Sequence, residues 1–138
     1  MSEKVKIEIG YNKIHRLNGL DELAKLLFPH NKKYQKTFLA IFIEIKYAPD
    51  QIIPDFKRIP TKFNISYRIL EKVRAKARKM GLIDHISRFS TRYGFKDGWT
   101  FSKRFTHSLQ KLGTIYESHK QIQSDNQEQK DRDCLNYI

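Results

Sequence analysis

What the 138-residue chain lacks narrows its chemistry. It has one cysteine, Cys134, so no disulfide can close within the chain and no cysteine-based zinc site is possible. That economy suits a reducing cytosol. The five histidines, His15, His30, His85, His107 and His119, include no HExxH and no paired ligand spacing. No glycine-rich loop resembles a phosphate cradle, and the carboxylates are scattered with no acid/base pair in view. A catalytic set, a metal and a cofactor are therefore not expected, and the chain does not read as an enzyme. The longest apolar run, FLAIFIEI, is broken by Glu44 and is too short to span a bilayer. The opening MSEKVKIEIG has no apolar h-region, so no signal peptide is expected. Acidic residues are also scarce: 15 Asp+Glu against 27 Lys+Arg leave a net charge of +12. Such an excess implies an acidic partner, nucleic acid or an anionic membrane surface.

The charge is concentrated. Residues 58–104 hold 13 Lys+Arg and 3 Asp+Glu, so +10 of the +12 lies there. At the centre is 65–83, ISYRILEKVRAKARKMGLI. Leu70, Val73, Ala77 and Met80 recur at helical spacing and form one apolar stripe. Ser66 is an N-cap candidate, because its hydroxyl can accept from an orphan N–H of the first turn. Gly81 supplies the left-handed stop that helices often use. The opposite face holds Arg68, Glu71, Lys72, Ala75, Arg78 and Lys79. Taken alone, a basic helix face is as readily a solvated surface as a binding one. Residues 85–90 then predict a strand, TRYGFKDG a loop with Asp97-Gly98 as a tight turn, and Trp99 onward a return strand. Phe89, Trp99, Phe101 and Phe105 read as core. Tyr93 and Phe95 sit at the loop tip, where exposure is usual.

The remaining segments frame this one. Val5, Ile7 and Ile9 alternate with polar residues and predict a short strand, followed by a turn or loop over 10–19. Asp21-Glu22 begins a helix through LAKLLF that Pro29 stops. Asn31 caps the next helix, roughly 32–47, with Phe38, Leu39, Ile41, Phe42 and Ile45 mostly core and apolar surface to spare for a second copy. Ile52-Ile53 could give a small strand. Pro54 and Pro60 predict a short or broken helix between 54 and 63, and Asn64 a turn. After the hairpin, a helix is expected from near Ser102. In it Phe105, Leu109, Leu112, Tyr116 and His119 follow the four-three alternation of a coiled-coil seam. A dimer seam of Phe105, Leu109, Leu112 and Tyr116 is the expectation, with packing back onto the chain's own domain as the other use. Gly113 weakens this helix by about 1 kcal/mol relative to Ala. Residues 123–138 are polar and predict a disordered tail.

Ile65-Ser66, the Ile69-Leu70 pair and the closing Gly81-Leu82-Ile83, followed at once by a basic hairpin, resemble the second half of a winged helix-turn-helix domain. The resemblance is to small prokaryotic and archaeal regulators and covers residues 33–105. Combined with the flanking segments, it implies a mainly α fold with a small β-hairpin wing. An N-terminal strand and short helix would occupy 1–31, the winged domain 32–104, a C-terminal helix 102–122 and the tail 123–138.

The resemblance further implies a cytoplasmic transcriptional regulator that binds double-stranded DNA sequence-specifically as a homodimer. The recognition helix, about 66–80, would lie in the major groove, and the wing, about 85–101, on the backbone or minor groove. Arg68 and Lys72 could donate to guanine O6 and N7, Glu71 accept from cytosine N4, and Ala75 allow close approach or touch a thymine methyl. Tyr67, Lys76, Arg78 and Lys79, with Arg88, Arg92 and Lys96 of the wing, would meet phosphates. Glu71 repels phosphate, so its place is explained by a base contact or by an ion pair that orients Arg68 or Arg74. Two other readings stay open: RNA binding with wing aromatics stacked on unpaired bases, and a protein-interaction module in a replication or transcription assembly. The operator, the direction of regulation and any effector are not legible.

Overall fold

A computed structural model describes residues 6–87 and 97–138. It is mainly helical with one small antiparallel sheet, and it divides into two compact units, residues 1–104 and 105–138.

In the first unit, α1 (Tyr11–His15) precedes α2 (Leu20–Leu27) and α3 (Lys32–Lys46). Glu22 in the first turn of α2 accepts from the Asn18 N–H at 2.9 Å, answering a donor that the helix itself cannot satisfy. Asn31 caps α3 as its chemistry predicts, its side-chain oxygen accepting from the Tyr34 N–H at 3.1 Å. Between the two helices, Phe28 meets Phe38 with ring centroids 5.3 Å apart, and Gln35 donates to the Phe28 carbonyl. On its other sides α3 meets α4 (Ile59–Phe63), α5 (Tyr67–Met80) and the sheet. Ile41, Ile45, Ile59, Leu70, Val73 and Ile83 form the buried centre.

The prolines act as anticipated. Pro60 lies in the first turn of α4, where its missing N–H is harmless, and Pro54 stays outside any helix. Asn64 ends α4 in the left-handed region at φ 53. After residues 64–66 the chain enters α5. That helix closes on Gly81 at φ 81, with Leu82 N–H donating to the Ala77 carbonyl and Gly81 N–H to that of Arg78. This pair of bonds is the Schellman arrangement, and glycine serves it because no Cβ obstructs positive φ.

The sheet is ordered β1 (Ile52–Ile53), β3 (Gly98–Phe101), β2 (Ile83–Ile86), antiparallel throughout. Ile53 and His85 both face Trp99 in register. The buried Thr100 hydroxyl donates to the Gln51 carbonyl at 2.8 Å. That bond ties the central strand to a turn in which Asp50 and Gln51 both take positive φ.

Several expectations are corrected. Residues 6–10 join no sheet: alternation can polarise a strand, but it cannot supply a partner edge, and Ile9 is exposed. Within the 10–19 segment, α1 forms. β2 starts at Ile83, two residues before the expected strand, because Ile83 and Ile86 are the buried positions. Gly98 is a strand residue paired with Ile86, not the tip of a turn. A Cβ there would collide with the Ile53 carbonyl, so its lack of a side chain serves the closeness of β1 and β3. The Ser66 hydroxyl makes no cap hydrogen bond, although the residue occupies the N-cap position. Phe38 is buried and Phe42 packs on Phe101 at 4.9 Å, so much of the apolar surface of α3 is used within the unit, while Ile43 stays exposed.

The second unit holds most of α6 (Arg104–His119), together with α7 (Gln127–Asp133) and a 3-10 turn over Cys134–Tyr137. α6 starts two residues later than expected and is continuous through Gly113. The supposed disordered tail is largely helical. Its helix rests on local polar pairs four residues apart, Gln127–Asp131 and Gln129–Asp133 at 2.8 Å and Glu128–Arg132 at 3.5 Å, rather than on apolar periodicity.

Candidate nucleic-acid interface

α5 is the element that builds the site. Its buried side, Leu70, Val73 and Ala77, fixes its rotation against α3, and Met80 is half-buried at the margin. That rotation turns Arg68, Lys72, Ala75 and Lys79 outward along one line, at intervals of four, three and four residues. The line is about 16 Å long at 1.5 Å per residue. Ala75 is exposed near its middle and leaves a low point between long cationic side chains. Among the described residues, neither Arg68 nor Lys72 has a carboxylate partner. Arg68 is exposed and Lys72 half-buried. Tyr67 is exposed at the start of the helix.

The flank toward the sheet is differently employed. Glu71 accepts from Arg74 at 2.6 Å, and the Arg74 guanidinium lies 5.2 Å from the Trp99 ring centre. Arg78 lies 5.9 Å from the same ring, which also stacks on Phe56 and meets His85 edge-on. Trp99 is therefore a hub joining α5 to the sheet, and of the two explanations for Glu71, the ion pair with Arg74 is the one with a partner in place. Lys76 turns to the other flank, its ammonium 5.1 Å from the Tyr34 ring.

The C-terminal end of α5 is locked by Arg104. Its guanidinium donates twice to Asp84, at 2.6 and 3.0 Å, and also to the Arg78 carbonyl at 2.9 Å and that of Ile83 at 3.3 Å. Burial would raise the Asp84 pKa. Hydrogen bonds from Arg104 and Ser102, with the charges of Arg104 and Arg78, outweigh it and hold the carboxyl below its ordinary range. Arg104 thus organises the site's scaffold.

At the other end of α5 lie cations that the sequence reading passed over. Lys33 and Lys36, in the first turns of α3, line an open cavity of about 280 Å³ with Asn64 and Ser66. The polar start of an otherwise greasy helix, KKYQK, was the available signal. Arg88, Arg92, Lys96, Tyr93, Phe95 and Phe89, which complete the expected wing, lie outside the described residues. Among the described residues no cluster of His, Cys, Asp or Glu could hold a metal ion, and no helix is long and apolar enough to cross a membrane. Compared with protein-family models, curated proteins and solved structures, the chain matches none of them.

Proposed function

We propose that this chain binds double-stranded DNA as a winged helix-turn-helix protein and acts as a cytosolic transcriptional regulator by occupying a site, with no chemical step. The observation that carries the reading is the outward line of Arg68, Lys72, Ala75 and Lys79 on a helix whose opposite side is buried. A helix presented in this way can enter the major groove, where guanidinium and ammonium groups donate to guanine and a small residue admits close approach. The short turn between α4 and α5 and the antiparallel β2–β3 pair that follows support the assignment of α5 as recognition helix and the hairpin as wing. Arg68 and Lys72 read bases, with Ala75 next along the line beyond Lys72. Tyr67, Lys76, Arg78, Lys79, Lys33 and Lys36 face phosphates on either side. Glu71 serves by holding Arg74.

The test is selection of bound sequences from a random duplex library, followed by anisotropy titrations against the selected and a scrambled duplex. Arg68→Ala is expected to weaken the selected site by about 1–3 kcal/mol and to relax preference at one position. Affinity for either duplex should fall with salt at a log–log slope of about −0.9 per phosphate neutralised. Equal losses on both duplexes would remove base reading. Stronger binding to single-stranded RNA than to duplex would replace the proposal with RNA recognition.

A further inference from the structure

We infer that Asn18-Gly19 is a modification site at which this chain deamidates spontaneously, water converting the Asn18 amide into a carboxylate. Of the six asparagines, Asn18 alone precedes a glycine. It is exposed in the segment between α1 and α2, and its side chain makes no hydrogen bond among the described residues. Gly19 is the N-cap of α2 and Glu22 stands three residues on, the two positions of a capping box, in which the carboxylate accepts from the N-cap N–H. Here Glu22 accepts instead from the Asn18 N–H, at 2.9 Å, one residue too early. The Gly19 N–H is therefore left without a hydrogen-bond partner among the described residues. It belongs to the nitrogen that attacks in deamidation, so the fold leaves both reacting groups free.

The Gly19 nitrogen bonds to Asn18 Cγ, its proton passes to solvent, and the Cγ–Nδ2 bond breaks to release ammonia. Water then opens the resulting cyclic imide at either carbonyl, with no change of oxidation state. One product is aspartate. The other is isoaspartate, whose main chain runs through Cγ and is longer by a methylene. Glycine favours the attack because no Cβ shields its nitrogen. The place where that Cβ would stand is taken by the Asp21 carboxylate. The other asparagines precede lysine, isoleucine, glutamine or tyrosine, and Asn31 and Asn126 also hold their side chains in hydrogen bonds. Either product adds a negative charge beside Asp21 and Glu22 and lowers the net charge by one. The longer main chain of isoaspartate also draws the residue-18 N–H away from Glu22 and loosens α1 from α2.

The test is incubation of the full chain in neutral buffer at physiological temperature, followed by peptide mass mapping and by labelling with an isoaspartyl carboxyl methyltransferase. The peptide holding Asn18 should gain the mass that replaces NH2 by OH, take up the isotope from heavy-oxygen water, and accept the methyl label. It should convert at least about tenfold faster than any peptide holding another asparagine, which a barrier lower by about 1.4 kcal/mol supplies. Because the reacting groups are free in the fold, the folded chain should convert within about tenfold of its rate in denaturant. Asn18→Gln, whose longer side chain closes the ring slowly, and Gly19→Ala should each abolish the fast conversion. The Asp21 carboxylate can swing aside for the alanine Cβ, so Gly19→Ala folds like the parent. Asn18→Asp carries the charge without the added methylene, and should keep the residue-18 amide protected from hydrogen exchange where the isoaspartyl product loses that protection. An Asn18 that converts no faster than the other asparagines, or converts only in denaturant, would overturn the inference.

Discussion

Replacing Gly98 by Ala tests the account of the sheet most sharply. Gly98 adopts φ +146, and a Cβ placed there would collide with the carbonyl oxygen and carbon of Ile53 and crowd the Cα of Pro54. All three are backbone atoms, so no side chain can rotate away. The disfavoured backbone conformation costs an alanine about 1–3 kcal/mol. Relief of the collision requires β1 to part from β3 at Ile53–Trp99, at about 1 kcal/mol for each backbone hydrogen bond lost. Alanine also reduces the freedom of the unfolded chain, which offsets roughly 0.4–1 kcal/mol. The net loss is about 2–4 kcal/mol. For a chain of this size that lowers Tm by about 10 °C. Thermal unfolding followed by circular dichroism measures it, with the fluorescence of Trp99, the only tryptophan and the strand partner of Ile53, as a second probe. A Gly98→Ala protein melting within a degree or two of the parent would show that β1 and β3 are not so close.

Other substitutions probe neighbouring statements. Gly113→Ala should raise stability by up to about 1 kcal/mol, because the new methyl meets nothing within 4 Å and alanine favours the helix; a lower Tm would contradict that open surroundings. Asp84 has a folded pKa below its unfolded value, so its contribution is present above about pH 4 and disappears as pH falls through the folded value. Asp84→Asn should therefore lose less stability than the parent between pH 5 and pH 2, as read from Tm at each pH. Glu71→Gln should loosen Arg74 from Trp99 and alter tryptophan emission while leaving base preference in place; a changed preference at one position would return Glu71 to base reading. Lys79→Ala should weaken binding to selected and scrambled duplexes alike and make the salt slope shallower by about 0.9, both measurable by anisotropy.

The sequence alone determined the elements that depend on near neighbours. The apolar spacing of Leu70, Val73 and Ala77, the left-handed stops at Asn64 and Gly81, the Asn31 cap and the disruptive prolines all act within a few residues, so α3, α4 and α5 were legible with their ends nearly placed. The outward line of Arg68, Lys72, Ala75 and Lys79 followed from the same periodicity, since burying one side of a helix orients the other.

What the sequence left undecided required partners distant along the chain. Alternation at 5–9 looked like a strand, but residues 6–10 have no neighbouring edge to accept them. Gly98 looked like a turn residue until Ile53, forty-five positions earlier, was found against it. Glu71 admitted two roles until Trp99 brought Arg74 to a fixed place beside it. Arg104 carried no signal at all, because its purpose is to join Asp84 to the carbonyls of Arg78 and Ile83. Local conformational preference is written residue by residue, whereas sheet edges, close backbone approaches and ion-pair geometry arise only when separate segments converge.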